Sequence, residues 1–152
     1  MISKTIIFLI LNFAALAIGG LSTSSGVTSD WYNALNKAPW TPPGWVFGFA
    51  WTLIMICFSF YMAYLWNEVE DKKTLIIMYA LQWLLNVAWN PVFFTLHQTS
   101  LSLIIIISLT LLIGYFLFKY FGQLRFKSTL LLPYFVWLLI ASSLNAFIWL
   151  RN

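Results

Sequence analysis

Five long apolar runs, none with a charged residue in its middle, set the strongest limit on how this chain folds. An α-helix needs about 20 apolar residues to cross the hydrocarbon core of a bilayer, and each run has roughly that length. Backbone groups in lipid must find their hydrogen-bond partners within the segment, which favours helices. The sequence therefore predicts an all-α integral membrane bundle of five transmembrane helices, forming one membrane domain over residues 1–152. The predicted helices are 5–23, 44–66, 74–95, 101–120 and 128–150.

Composition excludes the soluble class of proteins. Hydrophobic residues make up 62% of the 152 residues and charged residues 8%, whereas soluble domains carry about 25% charged residues. Cys57 is the single cysteine and His97 the single histidine, so an internal disulfide and metal sites built from several cysteines or histidines are excluded. We predict no metal site. The eight Lys and Arg residues are dispersed, so nucleic acid is not expected as a partner.

The distribution of Lys and Arg predicts the orientation of the bundle. With five spans, the N-terminus and the second and fourth connections share one side, whereas Lys37 and Arg151 lie on the other. The basic residues of the first side are Lys4, Lys72, Lys73, Lys119, Arg125 and Lys127. Because basic residues concentrate on the cytoplasmic side, we expect the N-terminus inside and the C-terminus outside.

The first connection, residues 24–43, is long and carries residues that a plain linker does not need. It holds three of the five prolines, which forbid a continuous helix. It also holds Trp31, Tyr32 and Trp40. Loops of this length in compact proteins are uncommon and often functional.

Amides and aromatic residues share faces of the predicted third and fifth helices. A spacing of i, i+4, i+7 and i+11 places Gln82, Asn86, Trp89 and Phe93 on one face, with Asn90 beside them. One side of the fifth helix carries Tyr134, Trp137, Ala141, Leu144 and Asn145, and Trp51 lies about two turns into the second helix. These residues would line an apolar pocket with a few donors, or the amides would only join helices. The spacing leaves both interpretations open.

The middles of the spans contain no Asp, Glu, Lys or Arg. Proton-coupled transporters usually keep such groups in the membrane as relays, so their absence argues against a small multidrug antiporter. It also removes paired-carboxylate chemistry. In the first helix, Asn12 needs a partner, and Ala15 with Gly19 lets another helix approach closely. The fourth run is apolar on all sides, which predicts the most lipid-exposed helix.

Three stretches of the chain match one family signature in order. They are residues 31–44 (WYNALNKAPWTPPG), 85–94 (LNVAWNPVFF) and 132–137 (LPYFVW), the last followed by 144–145 and Trp149. Together they resemble the TspO/translocator-protein family, also called tryptophan-rich sensory proteins. The pattern WY-x-x-L-x-K-x-P-W-x-PP is highly specific, and the match covers nearly the whole chain.

The resemblance implies five helices around a ligand cavity, with the first loop folded over one mouth. Family members bind tetrapyrroles such as protoporphyrin IX and haem, and also isoquinoline carboxamide and benzodiazepine-type drugs. Several bacterial members promote light-dependent breakdown of protoporphyrin IX, and dimers are common. For this chain we therefore expect a receptor-like protein of the bacterial plasma membrane, a homodimer, with porphyrin or haem as ligand and no obligatory cofactor.

The resemblance also implies roles for individual residues. Trp51 and Trp137 match pocket tryptophans linked to porphyrin breakdown and are the candidate catalytic residues. Asn86 matches a donor to a ligand carbonyl, and Tyr32 matches a loop residue that closes the mouth. Met55, Trp89, Asn90 and Ala141 match other wall positions, while Phe93 and Tyr134 join the predicted ligand site through their helix faces. Aromatic rings suit this site because they stack in offset geometry on a flat porphyrin.

The chain departs from the family pattern in three places. Ala146 stands where the family's cholesterol motif has a central tyrosine, so we expect no specific cholesterol site. The stretch 37–39 (KAP) has one residue more than the Lys-Pro often seen, which alters the fit of the loop. The third helix lacks a Gly-xxx-Ala seam, so the surface of the expected dimer is undefined.

Three functions stay open at this point. The leading one is a tetrapyrrole-binding membrane protein that senses, scavenges or photodegrades its ligand. The alternatives are a transporter of porphyrins or small amphiphiles, against which the missing charged relay weighs, and a regulatory interaction protein whose cavity is incidental. His97 is either a solvated loop residue between the third and fourth helices or an axial ligand for haem.

Overall fold

A computed structural model describes residues 1–152 and contains helices but no strand. The elements are α1 (Ile2–Gly26), α2 (Asp30–Ala34), α3 (Gly44–Glu68), α4 (Lys72–Phe94), α5 (Thr99–Lys119), α6 (Phe121–Leu124), a 3-10 helix (Arg125–Leu131) and α7 (Leu132–Arg151). Five of the helical segments are long and apolar enough to cross a membrane. The prediction of an all-α bundle with five membrane spans is therefore confirmed.

Helix α1 continues to Gly26, three residues beyond its predicted end. The serines of its polar last turn are satisfied within the helix, because the Ser24 hydroxyl donates to the Gly20 carbonyl at 2.7 Å and the Ser25 hydroxyl to the Leu21 carbonyl at 3.3 Å. Such bonds to the carbonyl one turn earlier let serine and threonine remain inside a helix. The first loop is correspondingly shorter than predicted, and α2 lies within it.

The last helix begins four residues later than predicted, at Leu132. Pro133 lies in its first turn, where the missing N–H group is tolerated. The preceding residues wind as a 3-10 helix instead. Arg125 has a φ of 46°, in the left-handed region, and this separates α6 from the 3-10 helix.

The packed core lies in the half of the bundle that holds the N-terminus. Phe58, Tyr61 and Leu65 of α3 are at most 1% exposed there. Asn12 finds the partners it needs, because its Nδ2 donates to Ser59 Oγ at 2.8 Å and its Oδ1 accepts from Tyr79 OH at 2.7 Å. This buried network joins α1, α3 and α4.

Small residues let α1 approach α4 closely, as Ala15 and Gly19 predicted. A Cβ atom on Gly19 would lie 2.5 Å from Asn90 Nδ2, and one on Gly26 would lie 2.4 Å from the Phe94 ring. No larger residue fits at either position without displacing α4 side chains. The close approach therefore depends on these two glycines.

Helix α5 is not the most lipid-exposed helix, so that prediction was wrong. Of its most apolar 18 residues 39% are buried, against 28% in α1 and in α4. It packs between α4 and α7 and turns Ser102, Thr110 and Gly114 inward. The sequence of a helix that is apolar on all sides does not indicate how much of its surface neighbouring helices cover.

The basic residues of the predicted cytoplasmic side gather at the packed end of the bundle. Lys4 Nζ lies 4.7 Å from the centre of the Trp66 ring, and Lys127 Nζ lies 4.5 Å from the Tyr64 ring. Asp71 caps α4 by accepting from the Thr74 N–H at 3.0 Å, and hydrogen bonds to Thr74 lower the pKa of its carboxyl. The direction in which this end faces stays a prediction.

Candidate functional site

A cavity of about 730 Å³ lies beneath the first loop, between α1, α3, α4 and α7. Its wall is mainly apolar, and Lys37 is the single charged residue on it. Small-molecule sites are typically concave, apolar and about 300–1,000 Å³ in volume. The aromatic residues of the wall are Tyr32, Phe47, Trp51, Trp89, Phe93, Phe94 and Trp137.

Eight of the ten predicted ligand-binding residues line this cavity. They are Tyr32, Trp51, Asn86, Trp89, Asn90, Phe93, Trp137 and Ala141. Met55 and Tyr134 are not on the wall, because both are 1% exposed and lie in the packed core. Tyr134 supports the wall from behind: its OH donates to Gln82 Oε1 at 3.0 Å, and its ring lies 6.0 Å from the Trp51 ring. Helix periodicity predicts the face of such a residue but not its depth.

The α4 wall is held by one asparagine of α7. Trp89 Nε1 and Ser102 Oγ both donate to Asn145 Oδ1 at 3.0 Å, and Asn145 Nδ2 donates to the Thr99 carbonyl at 3.0 Å. The Trp89 ring in turn stacks on Phe93 with 5.2 Å between centroids and 14° between planes. Asn145 therefore joins helices, and both acceptor sites of its amide oxygen are occupied within the protein.

Asn90 is also used for joining helices, although it borders the cavity. Its Oδ1 accepts from Thr23 Oγ1 at 2.7 Å, and its Nδ2 donates to the Asn86 carbonyl at 3.3 Å. The first contact fastens α1 to α4 at the cavity end of the bundle. The interpretation that the amides join helices therefore applies to Asn90 and Asn145.

Asn86 and Trp137 differ, because each leaves a polar group without a partner in the chain. Asn86 is 7% exposed and only its backbone carbonyl takes part in a side-chain hydrogen bond. Trp137 is 6% exposed, and its buried Nε1–H has no acceptor. A buried donor left unpaired costs about 1–3 kcal/mol. Both residues line the cavity, but the Trp137 Nε1 atom itself is buried in the wall, so the Asn86 amide is the candidate partner for a bound acceptor atom.

The two candidate catalytic tryptophans line the same cavity from α3 and α7. Phe47 packs edge-to-face on Trp137 with 5.3 Å between ring centroids. Tyr134 packs edge-to-face on Trp51 with 6.0 Å between ring centroids. Edge-to-face contacts of this kind add about 0.5–1.5 kcal/mol beyond area burial and hold ring orientation. Both indoles are therefore fixed at the wall.

The first loop covers the cavity and is fastened at several points. Ser29 caps α2 by accepting from the Tyr32 N–H at 3.1 Å, and Lys37 Nζ lies 4.5 Å from the Tyr32 ring centre. Burial raises the pKa of the Tyr32 phenol, which keeps it neutral. The Asn36 N–H donates to Asn152 Oδ1 at 2.8 Å, and Asn152 Nδ2 donates to the Asn36 carbonyl at 3.2 Å.

Two aromatic contacts complete the fastening of this loop. Trp40 Nε1 donates to Ser143 Oγ at 3.1 Å. The Trp31 ring stacks on His97 with 4.0 Å between centroids and 14° between planes. His97 is exposed and lies outside the cavity wall. The structure therefore places His97 where the solvated-loop interpretation put it.

Sequence reasoning missed the small residues of the wall. Gly20, Ser24, Gly48 and Thr52 border the cavity from α1 and α3. They carry no motif and no aromatic or amide group, so no chemical signal singles them out. Only the position of the two helices in space reveals them.

The chain matches the family model described as TspO/MBR family over residues 7–150. It is 35% identical to the tryptophan-rich protein TspO of Archaeoglobus fulgidus, over 91% of this chain and 92% of the relative. It is 31% identical to the tryptophan-rich sensory protein of Cereibacter sphaeroides, over 90% and 87%. It is 27% identical to the translocator protein of Sus scrofa, over 90% and 85%.

Proposed function

The chain belongs to the TspO/MBR family, and from that premise we propose that it is a receptor-like membrane protein whose cavity binds flat, amphiphilic aromatic molecules. Tetrapyrroles such as protoporphyrin IX and haem are the first ligand class, and isoquinoline carboxamide or benzodiazepine-type drugs the second. Two of the relatives are named a tryptophan-rich sensory protein and a translocator protein, and these names describe those relatives and not this chain.

The observation that carries this proposal is an aromatic-walled cavity bordered by an asparagine amide that has no partner in the chain. Trp51, Trp89 and Trp137 offer ring faces or edges to a flat π-system. Asn86 supplies an amide N–H group that can donate to a carbonyl or carboxylate oxygen of the ligand. Lys37, at the loop side of the cavity, suits an acidic substituent that stays near water.

The first experiment measures quenching of tryptophan fluorescence by protoporphyrin IX in purified protein. We expect saturable quenching at micromolar porphyrin, and weaker binding in Asn86→Ala by about tenfold, which corresponds to about 1.4 kcal/mol. Trp45→Phe is the control, since Trp45 is 73% exposed and lies outside the cavity wall. Quenching that does not saturate, or that Asn86→Ala leaves unchanged, would count against the proposal.

Light-dependent porphyrin breakdown is the second candidate function, and the shared position of Trp51 and Trp137 favours it. An illuminated porphyrin activates dioxygen, the oxidant in this scheme, and the chain's part is to orient the ring beside two oxidisable indoles. We expect illuminated wild type to convert bound porphyrin to a new absorbing product. The double variant Trp51→Phe/Trp137→Phe should bind without converting it, and Trp45→Phe should behave as wild type. If wild type binds and does not convert porphyrin, the protein is a binder and not an enzyme.

A further inference from the structure

The most exposed part of the cavity wall is formed by α1 and α3. Every wall residue contributed by α4, α5, α7 or the loop residues 32–42 is buried or half-buried. The exposed wall residues all belong to the end of α1 or the start of α3: Ser24, Val27, Gly44, Gly48 and Thr52. Since both helices are membrane spans, this opening faces the bilayer.

The opening lies in the half of the bundle where glycines of α1 and α3 have no near neighbour. In the packed half, Asn12 bonds to Ser59 at 2.8 Å. In the cavity half, α1 stays against α4, which it approaches through Gly19 and Gly26. A Cβ atom on Gly20 would meet nothing within 4 Å.

The part of α3 that faces Gly20 also has empty space beside its glycines. A Cβ atom on Gly44 or Gly48 would also meet nothing within 4 Å. The two helices therefore diverge toward the first loop and leave a gap that leads into the cavity. We call this gap, bordered by Gly20, Ser24, Gly48 and Thr52, the α1–α3 portal.

The rim of the portal is chemically apolar although it contains two hydroxyl groups. Ser24 Oγ donates to the Gly20 carbonyl at 2.7 Å, and Thr52 Oγ1 donates to the Gly48 carbonyl at 2.8 Å. Each hydroxyl is thus satisfied within its own helix. The rim presents no unpaired donor to hydrocarbon, which is the condition for a surface in contact with lipid.

In contrast, the loop that covers the other side of the cavity is held in place by hydrogen bonds. Trp40 is bonded to Ser143, and Asn36 is bonded twice to Asn152, so the loop is attached to α7 at two points. A ligand that passed under the loop would break these bonds. A ligand that passed through the portal would break none.

We propose that the α1–α3 portal admits flat apolar molecules into the cavity directly from the bilayer, edge-on, without opening the first loop. The identity of the ligand rests on the proposed function, whereas the portal rests on the geometry of α1 and α3. The two are therefore tested separately.

The first test needs no specific ligand. Protein in lipid nanodiscs is illuminated with a membrane-dissolved aryl diazirine, and labelled residues are identified by mass spectrometry. We expect labelling of Trp137 and Ala141, which are buried in the far wall of the cavity, as well as of Val136 and Leu139, which are exposed on the outer face of α7.

The double variant Gly20→Phe/Gly48→Phe fills the portal and should remove the label from Trp137 and Ala141 alone. Gly122→Phe is the matched control, because its Cβ atom also meets nothing within 4 Å but lies at the far end of the bundle. Unchanged labelling of Val136 and Leu139 shows that the variant is folded. Gly48→Leu is a second variant that fills the portal with a smaller side chain. Inner residues unlabelled in wild type, or labelled equally in the filled variants, would overturn the portal.

The second test uses protoporphyrin IX delivered from the bilayer and followed by stopped-flow quenching. The filled variant should slow association and dissociation together by about tenfold or more, with little change in Kd. Asn152→Ala, which removes one of the two attachments of the loop to α7, should leave both rates unchanged. Unchanged rates in the filled variant, or faster rates in Asn152→Ala, would show passage under the loop and overturn the portal. If wild type does not bind the porphyrin, the proposed ligand fails, and the diazirine result still decides on the portal.

Discussion

The half of the bundle that holds the N-terminus and the half beneath the first loop are built from the same helices and packed in opposite ways. In the first half Tyr61 and Leu65 are fully buried, and the amide of Asn12 is bonded on both sides. In the second half the helices enclose a cavity of about 730 Å³, and Asn86 and Trp137 keep unpaired polar groups. One half therefore fixes the helices, and the other is free to hold a ligand.

This difference teaches how a small membrane protein keeps a hollow region. A transmembrane helix satisfies its own backbone, so it does not need neighbours along its whole length. Packing in one half anchors α1 to α3, while Gly19 and Gly26 draw α1 to α4 in the other. The predictions below probe this contrast.

The largest effect is expected from a truncation in the packed half. Phe58→Ala removes a ring that is 1% exposed and lies within 6.4 Å of the rings of Tyr61, Tyr79, Phe116 and Tyr134. We expect the free energy of unfolding in detergent to fall by about 3–5 kcal/mol. Phe49→Ala, at a residue 62% exposed, should change it by less than about 0.5 kcal/mol. Equal losses in the two variants would remove the distinction between core and lipid-facing rings.

A smaller loss is expected where α1 meets α4. Gly26→Ala places a Cβ atom 2.5 Å from Phe94 Cβ, a backbone-attached atom that cannot move aside, so the variant should lose about 1–3 kcal/mol of stability. Gly20→Ala is the matched control on the portal side, where nothing lies within 4 Å. Because alanine favours a helix by about 1 kcal/mol over glycine, Gly20→Ala should be neutral or stabilising. Thermal unfolding of the pair checks both signs, and a loss in Gly20→Ala would mean that α1 contacts α3 there.

Two asparagines separate helix joining from ligand binding. Asn145→Ala removes three hydrogen bonds and should lower stability by about 1–2 kcal/mol, because each such bond between membrane helices contributes about 0.6 kcal/mol on average. Asn86→Ala should leave stability nearly unchanged and weaken ligand binding, since its amide has no partner in the chain. Unfolding and porphyrin titration of both variants provide the comparison. A reversed pattern would assign the ligand contact to Asn145.

The smallest effect is expected at the fastening of the loop. Asn152→Ala removes the bonds to Asn36 at 2.8 and 3.2 Å, both exposed, and should change global stability by less than about 0.5 kcal/mol. Hydrogen exchange at the Asn36 amide should nevertheless become faster, since that amide loses its acceptor. Exchange at the Tyr32 amide, which is bonded to Ser29, is the internal control. An unchanged rate at Asn36 would show that the loop does not depend on Asn152.

The aromatic and amide residues of the cavity wall were partly predictable from sequence because they carry recognisable chemistry. The spacing of Asn86, Trp89 and Phe93 on one helix face requires only the period of a helix, and all three line the cavity. Met55, placed on the wall by the resemblance, and Tyr134, placed there by its helix face, lie in the core, because neither a motif match nor periodicity fixes depth. The pairing of Asn36 with Asn152 spans 116 positions and left no local signal.

By itself the sequence determined the number of helices and their membrane character, and it predicted eight of the residues that line the cavity. These follow from the length and hydropathy of each segment and from motifs within single helices, which are local properties. Only the tertiary structure decided which amides are free, how exposed α5 is and where α1 leaves α3. Those outcomes depend on distances between residues far apart in the chain, and such distances arise from the packing of all helices together.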